Sequence, residues 1–74
     1  MNKNKLNAIK ENAVKKLQKN KITLSTYNDI LFCLSDIFKD GKTETITQDT
    51  ADFFADNKAT VKPCGIGYKI IFAE

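Results

Sequence analysis

Tyr27, Ile30, Leu31, Leu34, Ile37 and Phe38 recur at i, i+3, i+4 and i+7, the spacing that lines one face of an α-helix with apolar side chains. Such a face must be buried, and a chain of 74 residues has room for one core. The stripe therefore predicts the central helix, Thr26 to Lys39, of a single small domain spanning residues 1–74. Ser25 or Thr26 is suited to cap its amino end, Asp29 then falls in the first turn where the helix dipole favours an anion, and Gly41 is suited to the left-handed position after the last turn. Phe32 is the residue that does not fit. Successive 100° steps put it about 160° from the centre of the stripe, on one ridge with Asp29 and Asp36. Either the first helix or the amino-terminal arm covers it, or it is an exposed aromatic flanked by carboxylates, as at protein-binding hot spots. Two packed helices would bury both faces of the central one, so coverage by the first helix is the expectation.

The rest of the chain supplies what packs on that helix. Leu6, Ile9, Ala13 and Leu17 give the segment Asn4 to Asn20 a narrow apolar stripe, with Val14 on its flank. Asp40-Gly41-Lys42 reads as a turn and Thr43 to Ile46 as a short β-branched edge strand. Thr47 then caps a third helix, Gln48 to Asn57, with Thr50, Phe53, Phe54 and Asn57 on one side and Asp49, Asp52 and Asp56 on the other. Alternation predicts strands at Ala59 to Lys62 and Gly67 to Phe72, with the bend at Pro63-Cys64-Gly65-Ile66-Gly67. The expected fold is α+β: two amino-terminal helices, a short strand, a third helix and a carboxy-terminal hairpin completing a small antiparallel sheet. The expected core is Leu6, Ile9, Leu17, Tyr27, Ile30, Leu31, Leu34, Ile37, Phe38, Phe53, Phe54, Val61, Tyr68, Ile70 and Phe72. There is no internal repeat.

Charge is unevenly spread. Residues 1–21, the basic amino-terminal helix, hold seven lysines and one acid, a net +6; residues 22–74, the core, hold five lysines and eight acids, a net −3. The expectation is a molecule with two separate electrical poles. Three carboxylates on one ridge with no lysine at i+4 repel one another, a small cost that a basic partner would relieve. All twelve basic residues are lysine; without arginine's planar fork, sequence-specific reading of bases is disfavoured. No apolar run approaches the ~18 residues of a membrane span, and no leader pattern of basic, apolar and small residues opens the chain. Cys33 and Cys64 lack a CxxC spacing. Two free thiols in a reducing, cytoplasmic setting are expected, and a disulfide would require the fold to bring them together.

The inventory also limits chemistry. Without His there is no Ser-His-Asp system, no HExxH metal site and no Cys/His zinc finger. Asp49, Asp52 and Asp56 project from one helix face with no second element to complete an octahedral magnesium shell. Cys64 has no imidazole to act as its base. Gly65 and Gly67 follow no nucleotide-binding strand and precede no helix, so they are turn glycines. No catalytic residue, metal site, cofactor, membrane or small-molecule substrate is expected. The expected function is a non-enzymatic protein-binding module, of the phage- or mobile-element-type inhibitor or adaptor kind that covers a surface of a host protein. Its contacts would come from Asp49, Asp52 and Asp56, or from Phe32 with Asp29 and Asp36. The alternative is nucleic-acid binding. Helix, strand, helix and hairpin from Thr26 to Phe72 are similar to a winged helix, provided that Asn57 to Lys62 forms the recognition helix. Lys10, Lys15, Lys19, Lys58, Lys62 and Lys69 would then carry the phosphate contacts.

Overall fold

A computed structural model describes residues 3–72; residues 1, 2, 73 and 74 of the expected domain lie outside the described residues. Six elements follow one another: α1 (Lys3–Gln18), α2 (Leu24–Asp40), β1 (Lys42–Thr45), α3 (Gln48–Asp56), β2 (Thr60–Cys64) and β3 (Gly67–Ile71). This is the α+β arrangement that the periodicities predict. No helix among the described residues is long and apolar enough to cross a membrane.

The core forms where α2 meets the other layers. Ile30, Cys33, Leu34 and Ile37 of α2 pack with Ile9 and Ala13 of α1, Phe53 and Phe54 of α3, and Ile70 and Phe72 of the carboxy-terminal strand region. The Phe54 ring meets those of Phe53 and Phe72 edge to face, with centroids 5.4 and 6.1 Å away. Leu6, Tyr27, Leu31 and Val61 are half-buried against this centre; Leu17 and Tyr68, also expected in the core, are half-buried. Phe38 departs from expectation, being 58% exposed. It lies in the last turn of α2, and the face that α1 offers, with only Ile9 and Ala13 fully buried, is too narrow to cover that flank to its end.

Thr23, rather than Ser25 or Thr26, caps α2: its Oγ1 accepts a hydrogen bond from the Thr26 N–H at 3.1 Å. Three nearby hydroxyl residues offer equivalent local chemistry. Burial of Thr26 selects the earlier cap, and Asp29 consequently lies beyond the first turn. At the other end Gly41 adopts φ +76°, and its N–H donates to the Ile37 carbonyl at 2.8 Å. Thr47 precedes α3 in extended geometry without a side-chain capping bond; its N–H donates to Thr45 Oγ1 at 3.1 Å.

The sheet has the order β1-β3-β2, antiparallel throughout. β1 and β2 each differ from the expected range, β1 starting and ending one residue earlier, and the hairpin turn contracts to Gly65 and Ile66. Pro63 and Cys64 belong to β2. The physical reason is the register. Cys64 pairs with Gly67 across a two-residue turn, and Pro63 with Tyr68, so alternation of the ladder directs the Pro63 nitrogen to the outer edge. A missing N–H costs nothing there, and edge strands tolerate proline for that reason. Gly65, at φ +59°, takes the positive φ that a type II′ turn requires at its first central position.

Only Asn57, Lys58 and Ala59 separate α3 from β2. The winged-helix alternative, which needs a recognition helix over Asn57 to Lys62, is therefore corrected, and the expected strand there is found from Thr60: Lys58 lies at φ +71°, where a helix cannot continue, and strand pairing begins at Thr60. By the alternation of strand side chains, Thr43, Thr45, Tyr68 and Ile70 face the helices, while Lys42, Glu44, Lys62 and Lys69 lie on the opposite face.

Both cysteines are free, Cys33 buried and Cys64 exposed. Burial, with the nearby carboxylate charges of Asp29 and then Asp36, pushes the Cys33 thiol up from 9.0 to about 11, against a lowering hydrogen bond with Thr43. Above pH 9.0 the thiol of the unfolded chain ionises while the folded one stays protonated. Stability from this group is thus fully present below pH 9.0 and lost as pH rises towards 11, at up to ~1.4 kcal/mol per pH unit. Urea midpoints measured below and above this window should fall more steeply for the wild type than for Cys33→Ala. Parallel slopes would show that the thiol is not held protonated by burial.

Candidate interaction groove

The two flanks of α2 are used differently. One flank carries Asp29 and Asp36, whose carboxylates accept hydrogen bonds from Thr45 Oγ1 at 2.7 Å and Thr43 Oγ1 at 3.0 Å. These bonds fasten α2 to β1 and satisfy two buried strand hydroxyls. The other flank carries the half-buried Tyr27 and Leu31. Phe32 lies beyond both flanks and is 69% exposed, so the expectation that the first helix covers it is corrected. To bury Ile9 and Ala13, α1 must approach the apolar stripe, and Phe32 points away from that stripe.

Phe32 instead borders a groove of about 360 Å³ at the end of the sheet, facing Ile46 and Ile66. Ile46 follows the last residue of β1 and is 74% exposed; Ile66 occupies the second position of the hairpin turn and is 92% exposed. The groove owes its shape to Gly67. A Cβ at this position would press into the Thr45 carbonyl and come within 3.1 Å of Ile46 Cα, so glycine lets the hairpin end close against the end of β1. Asp29 and Glu44 add carboxylates to the lining. Cys64 Sγ donates to Glu44 Oε1 at 3.4 Å, and the Tyr68 hydroxyl is hydrogen-bonded to Gln48 Oε1. Three large apolar side chains brought to solvent around one concavity make an apolar contact surface with an acidic margin.

The acidic ridge is placed differently. Asp49, Asp52 and Asp56 are all exposed, and Gln48 Nε2 donates to Asp52 Oδ1 at 2.7 Å. Lys16 and Lys21 line the same cleft as these three carboxylates, and Lys15 and Lys19 line a neighbouring cleft with Asp56. A hydrogen bond from Asn12 Nδ2 to Asn57 Oδ1, at 2.7 Å, ties α1 to the end of α3. The expectation of two separate poles is therefore overturned. Folding lays the basic carboxyl half of α1 beside the acidic face of α3, where lysines of the same chain reduce the repulsion between the aspartates.

The lysines proposed for phosphate contacts are divided between surfaces. Lys10 and Lys15 are exposed on α1, Lys19 is exposed in the turn that follows it, Lys58 is exposed in the turn after α3, and Lys62 and Lys69 pair directly across the outward face of the sheet. No group of three or more metal-ligating side chains converges among the described residues.

Sequence reasoning singled out Phe32 but missed Ile46 and Ile66 as its companions. Ile66 carried a signal: in a Gly-Ile-Gly turn, a position that small and polar residues favour, an isoleucine has little local reason to be there. Ile46 carried none, because a β-branched residue beside a strand reads as part of it. Comparison of the chain with protein-family models, with curated proteins and with solved structures finds no match.

Proposed function

We propose that this chain is a non-enzymatic protein-binding module, an inhibitor or adaptor that covers a surface of a larger host protein and works in the reducing compartment where its two thiols stay free. The observation that carries this reading is the exposure of Phe32, Ile46 and Ile66 around one groove. Scattered apolar residues on a surface need no explanation, but a cluster bordered by polar groups marks an interaction site, and aromatic anchors dominate the energetics of such sites. The groove is preferred over the acidic ridge because the lysines of α1 already oppose Asp49, Asp52 and Asp56, whereas nothing among the described residues covers Phe32.

The test is capture from a lysate of cells that carry the gene, with nuclease treatment, comparing wild type with Ile66→Asp. Ile66 is almost wholly exposed, so the variant should melt as the wild type does. A partner retained by the wild type and lost from the variant, insensitive to nuclease, is the expected result. Equal retention by both would remove the groove. Retention that depends on nucleic acid and falls steeply with salt would instead favour the lysines of the outward sheet face, Lys42, Lys62 and Lys69.

A further inference from the structure

We infer that the occupant of the groove is an extended segment of the partner that brings an apolar side chain between Phe32 and Ile66 and a lysine or arginine to Glu44 and Asp29. This inference rests on the protein-binding reading and specifies the partner's chemistry.

Three features of the groove select that occupant. The first is shape: its apolar residues come from three separate places, a helix, the end of a strand and a turn, and they surround a volume of about 360 Å³. That space suits one or two side chains, not the broad face of a helix. The second is the backbone of β1. Gly41 accepts from the Phe72 N–H at 3.2 Å, and Thr43 and Thr45 pair with Ile70 and Tyr68. Alternation then turns the N–H and C=O groups of Lys42 and Glu44 to the outer edge of the sheet. β1 is an edge strand, and Glu44, whose backbone faces outward, lines the groove itself. A segment entering in extended form would gain main-chain hydrogen bonds at Glu44 while its alternate side chains reached the pocket, the mode of strand addition. The third is charge. Glu44 and Asp29 are the carboxylates of the groove and no lysine lines it; Lys69, directly opposite Glu44 across the strands, and Lys42 share a neighbouring cleft with Glu44, so Asp29 is the carboxylate with no lysine lining its side of the groove. A basic segment would pair with these carboxylates, and water excluded by the neighbouring isoleucines would strengthen the attraction.

Proline at the outward position of β2 is consistent with this choice of edge. Pro63 removes a donor from the far side of the sheet, leaving β1 as the edge that a partner strand can extend.

The inference is tested by selecting a short randomised peptide library on the immobilised full chain, with counter-selection on Ile66→Asp. Recovered peptides should carry an apolar residue next to lysine or arginine. Amide resonances of Glu44 to Thr47 should shift on binding, and affinity should fall about tenfold or more in Phe32→Ala. Glu44→Lys, at an exposed position, should reverse the selection towards acidic peptides. Recovery of acidic or uncharged peptides by the wild type, shifts confined to other surfaces, or no enrichment at all would each overturn the inference. If capture from lysate still depends on Ile66 while the peptides show no basic preference, the groove remains a protein-binding site and only the proposed chemistry of its occupant falls.

Discussion

Phe54→Ala should cost about 3–5 kcal/mol, the range for removing a buried aromatic ring from a core that cannot collapse around the void. Phe54 has no exposed surface and lies among α2, α3 and the carboxy-terminal strand region, with its ring against Phe53 and Phe72. A domain of this size is stable by only about 0.05–0.15 kcal/mol per residue, so the loss would take away much of the free energy that holds it folded. Urea denaturation followed by far-ultraviolet circular dichroism should show the variant largely unfolded, or with a midpoint far below that of the wild type. Phe54→Leu, which keeps much of the volume, should lose appreciably less. A loss under about 1 kcal/mol in the alanine variant would mean that the three rings do not form the centre of the core.

Gly67→Ala should be the most damaging change of a single methyl. The added carbon would meet backbone atoms, the carbonyl of Thr45 and Cα of Ile46, and backbone cannot swing aside as a side-chain tip can. Overpacking of this kind costs about 1–3 kcal/mol or more. The strain would also part the end of β3 from the end of β1, displacing Ile66 relative to Ile46. Gly65→Ala provides the contrast: nothing lies within 4 Å of its added carbon, and the cost is confined to the backbone conformation of the turn, about 1–2 kcal/mol. Thermal melts should rank Gly67→Ala well below Gly65→Ala. The reverse order would show that the hairpin does not close against β1 as described.

Much of the architecture was legible because it depends on local periodicity. The stripe from Tyr27 to Ile37 reports a helix that must be buried, and the alternation of Tyr68, Ile70 and Phe72 reports a strand with one face inward. The glycine at position 41 marks the stop between α2 and β1, since its φ of +76° suits glycine better than other residues. Boundaries were harder to read. Proline looks like a breaker in sequence, yet at position 63 it continues a strand because the register turns its nitrogen outward.

The candidate site was half legible. The odd angular position of Phe32 was visible from 100° steps alone, but its exposure was not, because that depended on which side of α2 the first helix would choose. The carboxylates of Asp29 and Asp36 looked like surface charge; they are held by Thr45 and Thr43, threonines that the sequence gives no reason to bury.

What the amino-acid order determined by itself is the set of elements and the limits on chemistry: three helices, a short strand and a hairpin, with no imidazole or guanidinium to build a reactive centre. Those follow from short-range spacing and side-chain identity, which do not depend on how elements are assembled. Tertiary structure alone decided that the lysines of α1 lie beside the aspartates of α3 and that Phe32, Ile46 and Ile66, distant along the chain, share one groove. Both outcomes arise from the same physical cause. A single small core positions its elements by burying the largest apolar faces, and the side chains left outside become neighbours according to that packing, whatever their separation in sequence.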